Sequence, residues 1–146
     1  MKRSAKPGLW RSVAATASIE FAILAIPFFA LSIGVFEFGR FCWTHQALQE
    51  AVTQGARCVG VHQSSCYTAG VYDATATTSY VQGVAAGWGV VVPTADITPT
   101  QSTSCGGVAG FAQIAISYNF ISAAGALIPP LRSTTMNASS CFPDNP

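Results

Sequence analysis

A chain of 146 residues (15.2 kDa) has room for one domain, not two. Only 9 % of its side chains are charged, against roughly 25 % in an ordinary soluble domain, while the 50 % apolar share is normal. The formal net charge of +1 hides an asymmetry: Lys2, Arg3, Lys6 and Arg11 all precede residue 12, removing these four cations leaves a net −3, and the absence of any later Lys/Arg cluster argues against nucleic-acid binding.

Residues 1–12 therefore read as a basic cytoplasmic leader. From Val13 to Phe36 the chain runs VAATASIEFAILAIPFFALSIGVF, in which Glu20 is the one ionisable group. A helix of that length covers about 36 Å at ~1.5 Å per residue. That crosses a hydrocarbon core of about 30 Å with some tilt. The positive-inside rule places the N-terminus in the cytoplasm and the rest outside. Trp10 and Trp43 bracket the span, where interfacial aromatics belong. Pro27 sits mid-span and is expected to kink the helix or loosen one turn. A cleaved secretory signal is the rival reading. Against it, the apolar run exceeds the usual h-region of about 7–15 residues, and no small-x-small site follows it.

The helix is expected to continue past the membrane. Over Phe41–Val61, Phe41, His45, Leu48, Val52, Gly55 and Val59 recur every three or four residues, as in an amphipathic helix. A helix from about residue 13 to about 60 would measure roughly 70 Å. Its stripe packs either on the chain's own C-terminal domain or against helices of other subunits. Residues 13–61 thus form a transmembrane and extended helix, and residues 62–146 an extracytoplasmic domain.

His62 to Tyr72 reads as a connection. Asp73 to Ala86 forms a short helix with Asp73 as its N-cap, ended by Gly87, Gly89 and Pro93. The remainder reads as β. Ala95 to Ser104 alternates through Ile97. Phe111 to Phe120 alternates through Phe111, Ile114, Ile116 and Tyr118, with a slip between Phe111 and Ile114. Arg132 to Cys141 is a third strand, rich in Ser and Thr. Cys105-Gly106-Gly107 suits a hairpin between the first two strands, and Gly125 to Pro130 is a loop in which Pro129 and Pro130 exclude strand. The fold class is α+β: a long N-terminal transmembrane and amphipathic helix, then a small domain with a short helix and a three-stranded antiparallel sheet.

Five cysteines in a chain exported past residue 36 favour disulfides. Spacing suggests Cys58 with Cys66, closing a short loop at the end of the long helix. It also suggests Cys105 with Cys141, because antiparallel pairing brings the ends of strands one and three to one edge. Cys42 is left over, available as a free thiol or for pairing with another subunit. Cys42-x2-His45 and Cys58-x3-His62 resemble metal-ligand pairs. On a continuous helix, though, they lie about 24 Å apart, too far to share one tetrahedral zinc. No GxSxG, HExxH, Walker-type or GxGxxG pattern occurs, and the six acids are not paired for acid–base chemistry. No catalysis, cofactor, metal or small-molecule substrate is expected.

Glu20 needs an explanation, since an ionisable group inside an apolar span costs a few kcal/mol by insertion scales. It either reaches water at the cytoplasmic interface or has a function. The stretch Ala14-Ala15-Thr16-Ala17-Ser18-Ile19-Glu20-Phe21-Ala22, then Pro27, then Glu37-Phe38-Gly39-Arg40, then Leu48 and Gly55-Ala56-Arg57 resembles the TadE-like family. Its members are pseudopilin-like proteins of bacterial tight-adherence (Flp-type) pilus systems. The resemblance covers roughly residues 12–60. It implies a protein of the bacterial inner membrane with pilin-like or pilus-assembly subunits as partners, alongside the lipid bilayer. It further implies a prepilin peptidase cutting between Ala15 and Thr16, and pairing of the new Thr16 amine with Glu20 of a neighbouring helix, where ammonium and carboxylate relieve each other's isolation. The family commonly has Gly before the cut, where this chain has Ala15. Two other readings stay open: a monomeric membrane-anchored binding module with no pilus role, and a soluble domain released by signal cleavage.

Overall fold

The computed structural model describes residues 10–126 and 132–144, so Lys2, Arg3, Lys6, Pro129 and Pro130 lie outside the described residues. The chain divides into two units, the first ending at Phe38 and the second beginning at Gly39.

Helix α1, Trp10–Gly60, passes Pro27 without a break in its assignment. Proline lacks the N–H that would bond the Ile23 carbonyl, a loss that membrane helices tolerate. In the first unit the apolar side chains stand exposed around the helix, from Phe21 and Leu24 to Ile26 and Phe28. A helix apolar on every side needs an apolar solvent, not one apolar partner face.

The second unit is α+β. Its elements after α1 are a two-stranded hairpin of β1 (Tyr67–Thr68) and β2 (Val71–Tyr72), helix α2 (Ala74–Gly87), and strands β3 (Ile97–Cys105), β4 (Val108–Ile121) and β5 (Ser133–Pro143). The latter three form an antiparallel sheet in the order β3-β4-β5. The β1–β2 hairpin falls where a plain connection is expected from sequence. Its loop, Ala69-Gly70, has positive φ at both positions, 52° and 80°, as a two-residue primed turn requires.

Residues 39–60 of α1 pack on this unit's own core. Leu48, Val52 and Val59 are fully buried with Val81 of α2 and Ile114 of β4. Each such aliphatic side chain contributes roughly 1.5–3 kcal/mol on burial. Of the stripe's two possible uses, packing on the chain's own domain is the one observed. The stripe is also wider than its spacing suggests. Thr44, Ala47, Ala51 and Ala56 are buried too, whereas His45 is exposed. Small residues carry little hydrophobic signal but permit close approach. A Cβ on Gly55 would come within 2.5 Å of Val81 Cγ2 and 3.2 Å of Ile114 Cγ1.

α1 ends in a left-handed turn. The Gln63 amide donates to the Cys58 carbonyl (3.0 Å) and the His62 amide to the Val59 carbonyl (3.1 Å), with His62 at φ 54°. This is the Schellman arrangement, with histidine where glycine is usual. Between β3 and β4, Gly106 (φ 61°) and Gly107 (φ 85°) form the expected two-residue turn, with Cys105 opposite Val108.

The expected slip near Phe111 is placed differently. β4 pairs with β5 without interruption from Phe111 opposite Pro143 to Ile121 opposite Ser133. Its buried positions are Ala112, Ile114, Ile116 and Phe120, so Phe111 belongs to the other face. The irregularity lies against β3. Thr100 to Thr103 opposes Gln113 to Phe111, then Thr103 to Ser104 opposes Phe111 to Ala109. Ser102 (φ 57°) and Gly110 (φ 87°) absorb these two bulges.

Candidate functional site

The strongest candidate from sequence is the Glu20-bearing part of α1. Ala15, Thr16 and Glu20 all fall within the helix. Thr16 and Glu20 are four residues apart in the sequence, about one helical turn. Glu20 is exposed, and among the described residues no hydrogen bond or ion pair to it is found. Phe21 (71 % exposed) and Phe38 (68 %) likewise meet no core. A Cβ on Gly34 or Gly39 would meet no atom within 4 Å, so neither glycine is needed for packing among the described residues. Among the described residues one helix, over Ser18–Gly60, is long and apolar enough to cross a membrane.

The other motif residues divide between the two units. Pro27 and Glu37 lie in the first, Glu37 half-buried. In the second, Arg40 has its guanidinium 5.4 Å from the centroid of the Phe120 ring, and Leu48 is wholly buried in the core. Arg57 is exposed on the polar side of α1, in a shallow groove with Glu50, Gln54 and Tyr80. There the Gln54 amide donates to Glu50 Oε1 (2.6 Å). The motif is therefore no single cluster. Phe21, Pro27 and Phe38 are exposed, and Leu48 supports the second unit.

Both expected disulfides are formed, Cys58–Cys66 and Cys105–Cys141, while Cys42 is an exposed free thiol. With its sulfur bonded to Cys66, Cys58 cannot serve as a ligand beside His62.

Residues 15–57 match the family model described as TadE-like protein. Over this stretch the chain is similar to TadE-like proteins. No curated protein and no solved structure matches the chain. The TadE-like segment covers the apolar helix and the half of α1 that enters the second unit's core, and the sheet lies beyond it.

Two clusters in the second unit are not apparent from helix and strand periodicity. At the C-terminal end of α1, His62 Nε2 lies 3.0 Å from Asp144 Oδ1, and the Ser102 hydroxyl donates to Asp144 Oδ2 (3.3 Å). The His62 ring stacks on Tyr67 at 4.5 Å between centroids. The Tyr67 hydroxyl donates to the Val59 carbonyl (3.2 Å) and accepts from Gln101 Nε2 (2.9 Å). Burial, then the nearby Asp144 carboxylate and Tyr72, raise the Tyr67 phenol above its ordinary range. In a serine-nucleophile triad the imidazole stands between hydroxyl and carboxylate. Here Asp144 stands in the middle, so the imidazole does not face Ser102. The cluster ties the chain's last strand to the end of α1. The second cluster gathers Arg40, Phe41, Trp43, Trp88 and Phe120 where α1 enters the unit. Phe41 meets Phe120 edge-on at 5.7 Å and Trp43 lies 5.2 Å from Trp88. Trp43 Nε1 donates to the Trp88 carbonyl (3.0 Å). A sequence signal existed for the first hairpin, since aromatic and β-branched residues flank Ala69-Gly70. None existed for the tryptophan pair, whose members are 45 residues apart.

Proposed function

We propose that this chain is a TadE-like, pseudopilin-type protein of the bacterial inner membrane that takes part in assembling a tight-adherence (Flp-type) pilus or its envelope machinery. The observation that carries the reading is the family match over residues 15–57, laid on a helix whose apolar run to Phe36 holds one acid, Glu20, which finds no partner among the described residues. The chain acts without catalysis, through association of its N-terminal helix with other pilin-like subunits. The exposed side chains of residues 18–38 and the open space at Gly34 and Gly39 support this. The N-terminus is cytoplasmic, and the second unit lies in an oxidising extracytoplasmic compartment, a reading supported by its two disulfides. A prepilin peptidase cuts between Ala15 and Thr16, and the freed Thr16 amine neutralises Glu20 of a neighbouring helix.

Deletion of the gene in the native host, with Glu20→Ala as the point variant, tests the role. Surface pili and Cys42-mediated crosslinks between subunits should both fall at least several-fold, with the Glu20→Ala protein still membrane-bound. Full piliation in the deletion strain overturns the pilus role. Intact-mass measurement tests the processing: a chain beginning at Thr16 supports it, and one beginning at Met1 or Lys2 removes it. The alternative is a monomeric membrane-anchored binding module. It gains from one observation, that residues 44–59 of α1 spend their apolar face on their own domain. Strictly monomeric protein in native membranes would favour it.

A further inference from the structure

The second unit has two distinct ends. β4 runs from Val108 to Ile121, and α1 runs alongside in the opposite sense. Arg40 and Phe41 meet Phe120 at one end, whereas Gly60 approaches Phe142 and Pro143, opposite Phe111, at the other. The end at Phe111 carries the glycine turn, the Cys105–Cys141 bond and the His62–Asp144 pair.

The end at Phe120 is different in kind. Trp43 is 56 % exposed, Trp88 36 % and Ile121 67 %. The Trp43 indole N–H is taken by the Trp88 carbonyl, which fixes the α1 ring to the turn after α2. Two arginines accompany these side chains. Arg40 lies over Phe120, and Arg132 is exposed with its carbonyl held by the Ser122 amide (3.2 Å), one residue beyond Ile121. Fixed tryptophans, an exposed isoleucine and arginines with long apolar stems suit the boundary between acyl chains and phosphates. Their place in the chain agrees with that. Trp43 follows Phe38, itself 68 % exposed, by five residues, about 7–8 Å along a helix. A headgroup layer is roughly 5–8 Å thick on each side of the hydrocarbon.

We propose that this end of the second unit, formed by Arg40, Trp43, Trp88, Phe120, Ile121 and Arg132, rests in the headgroup layer of the bilayer that α1 enters. The unit then lies against the lipid surface, and its opposite end, with the Cys105–Cys141 bond, is presented away from it. The proposal rests on α1 crossing the bilayer, and the test separates the two.

Full-length protein is placed in phosphatidylcholine nanodiscs at one copy per disc. Trp10→Phe with Trp43→Phe leaves Trp88 as the sole tryptophan. Trp10→Phe with Trp88→Phe leaves Trp43, which guards against a local rearrangement in the first variant. Emission from both should be blue-shifted. Both should lose intensity more to lipids brominated near the glycerol end of the acyl chains than to lipids brominated at chain ends. Ile121→Glu, on an exposed site, should lower the bromine quenching of Trp88 with the disulfides intact. If the protein stays in the disc but Trp88 emits as in water and is quenched by aqueous iodide alone, the docking is wrong and the span stands. Shielding of Trp88 only in discs with several copies assigns this end to a second copy and overturns the proposal. Protein that leaves the disc removes both.

Discussion

Several of the fold's local decisions are made by single residues at the ends of elements. Asp73 caps α2: its Oδ1 accepts from the amides of Thr75 (2.9 Å) and Ala76 (3.0 Å), and its Oδ2 accepts from the Thr68 hydroxyl (2.9 Å). The Ala76 amide and then the Thr68 hydroxyl hold its carboxyl below the usual carboxylate value. Because the folded state favours the charged form, this contribution is present above the unfolded value of 3.8. It fades as pH falls through the lower folded value. The Asp73→Ala protein should therefore melt below the parent at pH 7, and the gap should narrow on acidification below about pH 4. Paired thermal melts across that range check it, and a gap independent of pH would show that the carboxylate is not the capping group. Tyr67 acts in the opposite sense: its raised phenol withdraws stability only above pH 10.

At the scale of elements, glycine decides how closely helices and strands approach. Gly55 puts α1 so close to Val81 of α2 that a Cβ would overlap it, and leaves only a tight fit to Ile114 of β4, all three being buried. Val81 is β-branched and stiff, so it cannot swing aside. Gly55→Val should cost about 1–3 kcal/mol through overpacking despite removing a helix glycine. Gly83→Ala, on α2 with open space at its Cβ, should be neutral or stabilising. Chemical denaturation of the two variants distinguishes steric fit from helix propensity. The elements themselves were legible in the sequence. Uniform apolarity marked the first part of α1, Asp73 marked the start of α2, and the Gly106-Gly107 turn marked β3 and β4. Legibility failed where a residue's role depends on a distant neighbour. His45 fits the helical spacing yet faces out, Ala47 and Ala51 carry little hydrophobic weight yet are buried, and the bulge at Ser102 exists only relative to β4. Glu20 was singled out for chemistry that the isolated chain does not complete.

For the whole molecule, the two units depend on different solvents. The first depends on an apolar surround for the helix up to Phe38, and the second on its own core plus two covalent closures. The Cys105–Cys141 bond spans 36 residues and the Cys58–Cys66 bond 8. In the chain-entropy model these closures contribute about 4 and about 2–3 kcal/mol. Small domains have total stabilities of only 5–15 kcal/mol, so the larger bond alone is a substantial fraction. The paired Cys105→Ser and Cys141→Ser replacement should let the second unit open, exposing β4 amides to exchange and the chain beyond Gly39 to protease. Cys58→Ser with Cys66→Ser should do less, because its loop is short. Neither change touches residues 18–38, so both variants should stay with membranes after a carbonate wash. Exchange and fractionation on the same samples read the two units independently. If opening the second unit released the protein from the membrane, that unit and not the apolar helix would be holding it there.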